Sequence, residues 1–162
     1  MLTVSVPIDE VSDWLASSVR HVLTTMFSLE AQISMPPETH ACTDALVVGS
    51  IGFTGEINGV VYIQVNDHFA KVLASRMLGL SEDELDGDEM VNDVIGELSN
   101  MVVGSVKSKL CDQGAQCVLT IPSIVRGQDL HVQAIKPSER RLLGFRCGTD
   151  TIVIELLIKP PV

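Results

Sequence analysis

The stretch NDVIGELSNMVVG, residues 92–104, lies inside a longer amphipathic segment and carries Asp93, Glu97, Asn100 and Gly104. In a helix these residues are costly or indifferent unless something else uses them: Asp and Asn compete for backbone hydrogen bonds, and a glycine costs about 1 kcal/mol against alanine. At 3.6 residues per turn, Val91, Val94, Ile95, Leu98, Val102 and Val106 fall on an arc of roughly 120° that must be buried. Asp93, Glu97, Asn100 and Gly104 follow at i, i+4, i+7 and i+11, within a stripe of about 60° at the margin of that arc. One ridge thus aligns two carboxylates, a neutral amide and a small residue, types suited to charge pairing and hydrogen bonding with something outside the helix. Gly104 on that ridge lets a partner's backbone come close, whereas Gly96 also suits tight packing on a sheet. The competing reading is a solvated polar face. Glu89-x-x-Asn92 shows how easily the Glu-x-x-Asn triplet arises: both residues are expected to project away from the buried arc, making this copy an inert decoy.

Other chemistries find no residues to carry them. Glu82, Glu84 and Asp86 before Gly87 echo a calcium loop faintly, but the first ligand is Glu rather than Asp and the final bidentate position falls on Asp93. Acidic side chains favouring a helix N-terminus explain the run better. His21, His40, His68 and His131 show no paired spacing, and Cys42, Cys111, Cys117 and Cys147 no C-x-x-C, so no metal site is expected and the cysteines read as reduced core thiols. No nucleophile-elbow or P-loop pattern occurs, and the glycine-rich GFTGEING lies between two strands, where it suits a hairpin better than a phosphate cradle.

Composition narrows the partners. Aromatic residues make up 4% of the chain, and 11 Lys and Arg face 21 Asp and Glu for a net charge of −10, which argues against nucleic acid and suits a partner with a basic face. No run approaches the roughly 18 apolar residues of a membrane span, and the N-terminus lacks a basic n-region, so a cytoplasmic protein is expected. With 162 residues, 46% of them hydrophobic, a single domain over 1–162 with a real core is expected.

Val11, Leu15, Val19, Val22, Leu23 and Met26 predict a helix from Pro7 to Phe27, followed by a surface loop over 33–44. Strands over 46–54 and 60–65 flank a turn in which Asn58-Gly59 would supply positive φ angles. Asp67 is expected to cap a helix that stops at Gly79, Ser81-x-x-Glu84 forms a capping box for another helical start, and the long helix runs over 88–112. Four further strands are expected over 117–121, 130–135, 141–147 and 151–158. The class is α+β: an antiparallel sheet packed against a layer of helices that includes the long ridge-bearing one. TIVIELLI, 151–158, reads as a sheet edge hazardous if left open, halted by Lys159-Pro160-Pro161 and expected to be covered by a second copy of the chain, with cover by the chain's own helix or loop as the alternative.

Asp93-x-x-x-Glu97-x-x-Asn100, followed after 21 residues by Pro122, resembles the signature of the CheC/CheX/FliY chemotaxis phosphatases. GSIGFTGEINGVVYIQV, IGELSNMVVGSVKSKL and IPSIV look like the CheX branch in particular. The family's spacing to the proline is typically about one residue longer. CheC-type members carry two such motifs; the single usable copy here favours the CheX-like branch, with one site per subunit and homodimers formed through the sheet.

The resemblance implies a phosphatase for the aspartyl phosphate of CheY or a CheY-like receiver. The receiver's own Mg²⁺ and lysine would stabilise the phosphoryl group, no cofactor being required from this chain, and what remains is to place a water in line. Asn100 would orient that water, since an amide offers a donor and an acceptor at once. Glu97 would dock on the receiver's lysine. Asp93, Gly104 and Pro122 would be supporting positions. A non-catalytic receiver-binding or flagellar-switch adaptor of the same fold is the alternative, and a small-molecule sensor domain would leave the ridge without a role.

Overall fold

Pro7 sets an extended entry into helix α1 (Ile8–Phe27), which ends where Ser28 turns left-handed at φ 53°. Its apolar spacing buries Val11, Leu15, Val19, Val22, Leu23 and Phe27, and the Ser18 hydroxyl donates to the Val102 carbonyl at 2.9 Å across to the long helix. The computed structural model describes residues 4–35, 45–130 and 138–159. After α1 come β1 (Gln32–Ser34), β2 (Leu46–Gly55), β3 (Asn58–Asn66), α2 (Asp67–Leu78), a single 3-10 turn (Glu82–Glu84), α3 (Gly87–Asp112), β4 (Cys117–Leu119), β5 (Ser123–Gly127), β6 (Glu139–Cys147) and β7 (Asp150–Lys159). The expected α+β class holds: seven strands form one antiparallel sheet in the order β1-β6-β7-β3-β2, with β4 and β5 both paired to the far side of β2.

Side chains alternate across a strand, so Val47, Ile51 and Phe53 of β2, Val61, Ile63 and Val65 of β3, and Ile152, Ile154 and Leu156 of β7 join the helices in one core. Fully burying each such side chain contributes about 1.5–3 kcal/mol. Gly49 shares that face of β2, and a Cβ there would collide with Ser99 Oγ and crowd Ile95, so its lack of a side chain lets α3 lie close on the sheet. The buried arc of α3 is wider than the sequence suggested, with Gly96, Ser99, Val103 and Leu110 joining the expected six. On the opposite face of β7, Glu155 is buried and forks to the Arg140 guanidinium at 3.1 and 3.4 Å.

Beside β2 the last strands do not run straight. β4 pairs with one half, from Phe53 with Leu119 to Gly55 with Cys117, and β5 with the other, from Leu46 with Gly127 to Ser50 with Ser123. Residues 120–122 step between them. Thr120 holds the step by donating its N–H to Gly52 O at 2.8 Å and accepting from Gly52 N through Oγ1 at 2.9 Å. Pro122, which has no N–H to give to a ladder, sits at this break.

Several local expectations change. TIVIELLI is not an edge: β7 lies between β6 and β3, which explains its near-continuous burial. Asn66, not Asp67, caps α2, its Oδ1 accepting from Phe69 N at 2.7 Å. The positive-φ residue of the hairpin is Gly55, at φ 151°, and neither Asn58 nor Gly59 has a positive φ; Asn58 instead bonds the Gly55 backbone through its side chain. Gly59 stays in the strand because a Cβ would strike the Phe53 ring. The Ser81–Glu84 capping box exists but opens only the 3-10 turn. The expected loop over 33–44 begins inside β1, and β4 stops at Leu119. Leu130 lies outside any strand, and the rest of the strand expected over 130–135 falls outside the described residues, as do His40, Cys42, His131 and Pro160-Pro161.

Cys111, Cys117 and Cys147 are free thiols, and burial pushes the latter two up from the ordinary thiol range. Among the described residues no helix is long and apolar enough to cross a membrane.

Candidate functional site

An open cavity of about 340 Å³ lies between α3 and the start of β5, lined by Asn92, Asp93, Gly96, Glu97, Asn100, Pro122 and Ile124. The helix supplies one wall because its apolar arc is pinned on β2, which turns the adjacent ridge outward over the step at 120–122. Asp93, Glu97 and Asn100 are exposed, while Gly96 between them is buried. A Cβ added to Gly96 would sit 3.8 Å from the Pro122 ring, ordinary contact distance, so glycine at 96 keeps the cavity open rather than averting a clash.

The structure therefore brings together four of the five positions singled out in the sequence: Asp93, Glu97, Asn100 and Pro122. Gly104 is not among the lining residues. It lies farther along α3, where an added Cβ would meet nothing within 4 Å, an open spot on the ridge.

Asn92 requires a correction. It does not project away. Half-buried, it accepts from Arg126 Nε through Oδ1 at 2.5 Å and lines the same cavity as Glu97 and Asn100. The reason is helical spacing: 92, 96 and 100 stand one above another at intervals of four, along the flank that the wider buried arc brings against β5. Its triplet partner Glu89 is exposed.

Sequence reasoning also passed over Arg126. Pro122, just before β5, and Ile124 and Arg126 on it take alternate positions facing α3, while Ser123 and Val125 point out and are exposed. Besides Asn92, Arg126 donates through Nη1 to Asp67 Oδ1 at 2.8 Å and lies 3.6 Å from Asp88 Oδ1. Lys71 Nζ reaches the other Asp67 oxygen at 3.1 Å. Burial pushes the Asp67 carboxyl up, but hydrogen bonds from Arg126 and Lys71 and their charges outweigh it and hold the group below the usual carboxylate range. The signal that would have found Arg126 is a lone cation in a β-rich run, SIVRG, of an otherwise acidic chain.

Beyond the cavity, Glu82, Asp83, Glu84, Asp86, Asp88 and Glu89 are all exposed around the start of α3. Together with Asp93 and Glu97 they set up a negative field that attracts a cationic surface. Among the described residues no three His, Cys, Asp or Glu side chains cluster as metal ligands. The wall thus offers an exposed amide and carboxylate one turn apart, able to orient a small polar molecule and grip a cation on whatever surface closes the cavity.

Residues 47–146 match the family model described as chemotaxis phosphatase CheX. The CheY-P phosphatase CheX of Thermotoga maritima is 30% identical over 122 residues, which cover 74% of this chain and 77% of that protein. The crystal structure of chemotaxis protein CheX from Vibrio vulnificus superposes with a TM-score of 0.80 at 26% identity, over 96% of this chain and 100% of that one. A chain of the CheX-CheY-BeF3-Mg+2 complex from Borrelia burgdorferi gives a TM-score of 0.78 at 21% identity, over 93% and 98%. The fold is that of the chemotaxis phosphatases, as the motif resemblance implied. The chain belongs to the CheX family.

Proposed function

We propose that this protein hydrolyses the aspartyl phosphate of CheY or a CheY-like receiver, with Asn100 orienting the attacking water and Glu97 docking on the receiver's lysine. The observation that carries the reading is the placement of both side chains, exposed and one turn apart, on the wall of one open cavity. The relative named a CheY-P phosphatase and the related complex that contains CheY lend it support.

In the step itself, water oxygen bonds to phosphorus as the bond from phosphorus to the aspartate oxygen breaks. Inorganic phosphate leaves and the carboxylate is restored, with no change of oxidation state. Mg²⁺ on the receiver, rather than a metal on this chain, would stabilise the charge of the transferring group. The carboxamide of Asn100 accepts from the water and donates to the phosphoryl oxygens, holding the nucleophile in line. Glu97 anchors α3 over the receiver, and the acidic start of α3 speeds their encounter. Two copies would pair through a sheet edge; β1 is bonded only to β6 among the described strands and offers one, which sedimentation at several concentrations would test.

The deciding experiment follows phosphate loss from a panel of phosphorylated receivers of the host, with and without the protein, in Mg²⁺. At least one receiver should lose phosphate faster when the wild-type protein is added. Binding without acceleration would mean a receiver-binding adaptor instead.

A further inference from the structure

The two ends of the stretch where α3 lies along β5 differ in kind. At the Gly96 end the Pro122 ring faces the helix across the cavity, where only a Cβ added to Gly96 would come within 3.8 Å of it, so nothing directional holds the two elements there. At the Asn92 end the contact is a charge-assisted hydrogen bond, short and directional. Arg126 is itself anchored outside α3 as well: Nη1, which also lies 3.6 Å from Asp88 of α3, is fixed by Asp67, the first residue of α2, whose N–H donates to the Ala45 carbonyl at 2.9 Å just before β2. The guanidinium therefore joins β5, α2 and α3 at one point, through the fork geometry that an ammonium cannot reproduce.

We propose that Arg126 is a positioning residue, which by gripping Asn92 sets the register of α3 over β5 and so the place of Asn100 and Glu97 above Pro122. The roles of Asn100 and Glu97 in this statement rest on the function proposed above. The energetics suit an orienting role better than a stabilising one. Arg126 Nη2 is buried without a hydrogen-bond partner among the described residues, a cost that an apolar side chain of similar volume would avoid. Asn92 and Asn100 stand two turns apart, about 12 Å at 1.5 Å per residue, so a small tilt or slide at the first is carried rigidly to the second. An error of about 1 Å in placing a water is enough to slow catalysis by a large factor.

The test compares Asn92→Ala, Asn92→Asp and Arg126→Met in the full chain, with thermal unfolding to establish that each folds. In the protein alone, the Asn100 side-chain amide signals in a ¹H–¹⁵N spectrum should shift or broaden in Asn92→Ala and Arg126→Met and return towards the wild-type position in Asn92→Asp, which keeps the acceptor. In phosphate-loss assays the first two should lower kcat about 10-fold at unchanged KM, and Asn92→Asp should recover most of the loss. Placed in an Asn100→Ala background, Asn92→Ala should add no further loss, because it acts through the residue already removed. Unchanged Asn100 signals with unchanged kcat, or a further 10-fold loss in that background, would overturn the proposal. Should Arg126→Met fail to fold, the Asn92 pair decides. If wild-type protein accelerates phosphate loss from no receiver, it is the functional reading that fails, and the amide signals alone decide whether Arg126 positions the ridge.

Discussion

Helix α3 has two long stripes that obey different rules. Its apolar stripe is buried against the sheet, Ile95, Leu98 and Val102 at its centre to within 1% exposure, and Gly49 is kept bare so that it can approach. Its polar stripe, Asp93, Glu97 and Asn100, is exposed, and no side-chain hydrogen bond among the described residues depends on it. With the function proposed above, stability and activity are written on separate faces of one element. Damage to the first should unfold the protein, and damage to the second should leave it folded and idle.

The strongest blow to this separation should come from the apolar side. Leu98→Ala empties a fully buried position and should cost about 2–5 kcal/mol in denaturant unfolding, with kcat of the remaining folded protein close to wild type. A variant that stays stable yet loses kcat would merge the two stripes. Next in size, Asn100→Ala should lower kcat about 100-fold with receiver binding kept and the unfolding midpoint within about 0.5 kcal/mol of wild type, since only a transition-state interaction is lost. Glu97→Ala should instead raise KM about 5- to 10-fold at nearly unchanged kcat, because a docking ion pair is lost in ground state and transition state alike. The same loss in kcat as for Asn100 would show that docking and water placement are not divided between them.

Gly104→Ala probes the far end of the ridge. Nothing crowds that position, so alanine should stabilise the helix by up to about 1 kcal/mol in thermal unfolding, and any rise in KM would show that a partner's backbone approaches there. The smallest effect should be on acidification. The Asp67 carboxyl is held below its usual 3.8, so its contribution is complete above that value and is lost as pH falls through the lower folded one. Asp67→Asn should flatten that part of a pH-stability profile, and an unchanged slope below pH 3.8 would mean that Arg126 and Lys71 do not hold it.

The elements were legible where their signal is local. Apolar residues at intervals of three and four marked α1 and α3 to within a residue or two, and the left-handed Gly79 ended α2 as expected. Errors gathered where the deciding partner is distant in the chain. SIVRG became a strand because Leu46 to Ser50 pair with it, and Gln32–Ser34 because Gly144 to Arg146 do, neither of which a local pattern announces. Asn92 was misjudged for the same reason: on a helical wheel it stands clear of the six expected core residues, and only the strand carrying Arg126 turns that flank inward.

Local spacing was enough to define the ridge, since the angular relation of Asp93, Glu97 and Asn100 follows from helix geometry once the apolar arc requires a helix. It was also enough to leave the ridge out of the core, because charged side chains are not buried without partners. What faces the ridge came from long-range pairing instead. Pro122 faces Gly96 across the cavity because β4 and β5 divide the edge of β2 between them, Arg126 reaches Asn92 because α2 anchors its other arm, and β7 is interior because β6 pairs on its open side. Each of these depends on hydrogen bonds between residues far apart in the chain, whose pairing register is set by the closure of the whole sheet and is written in no single stretch of it.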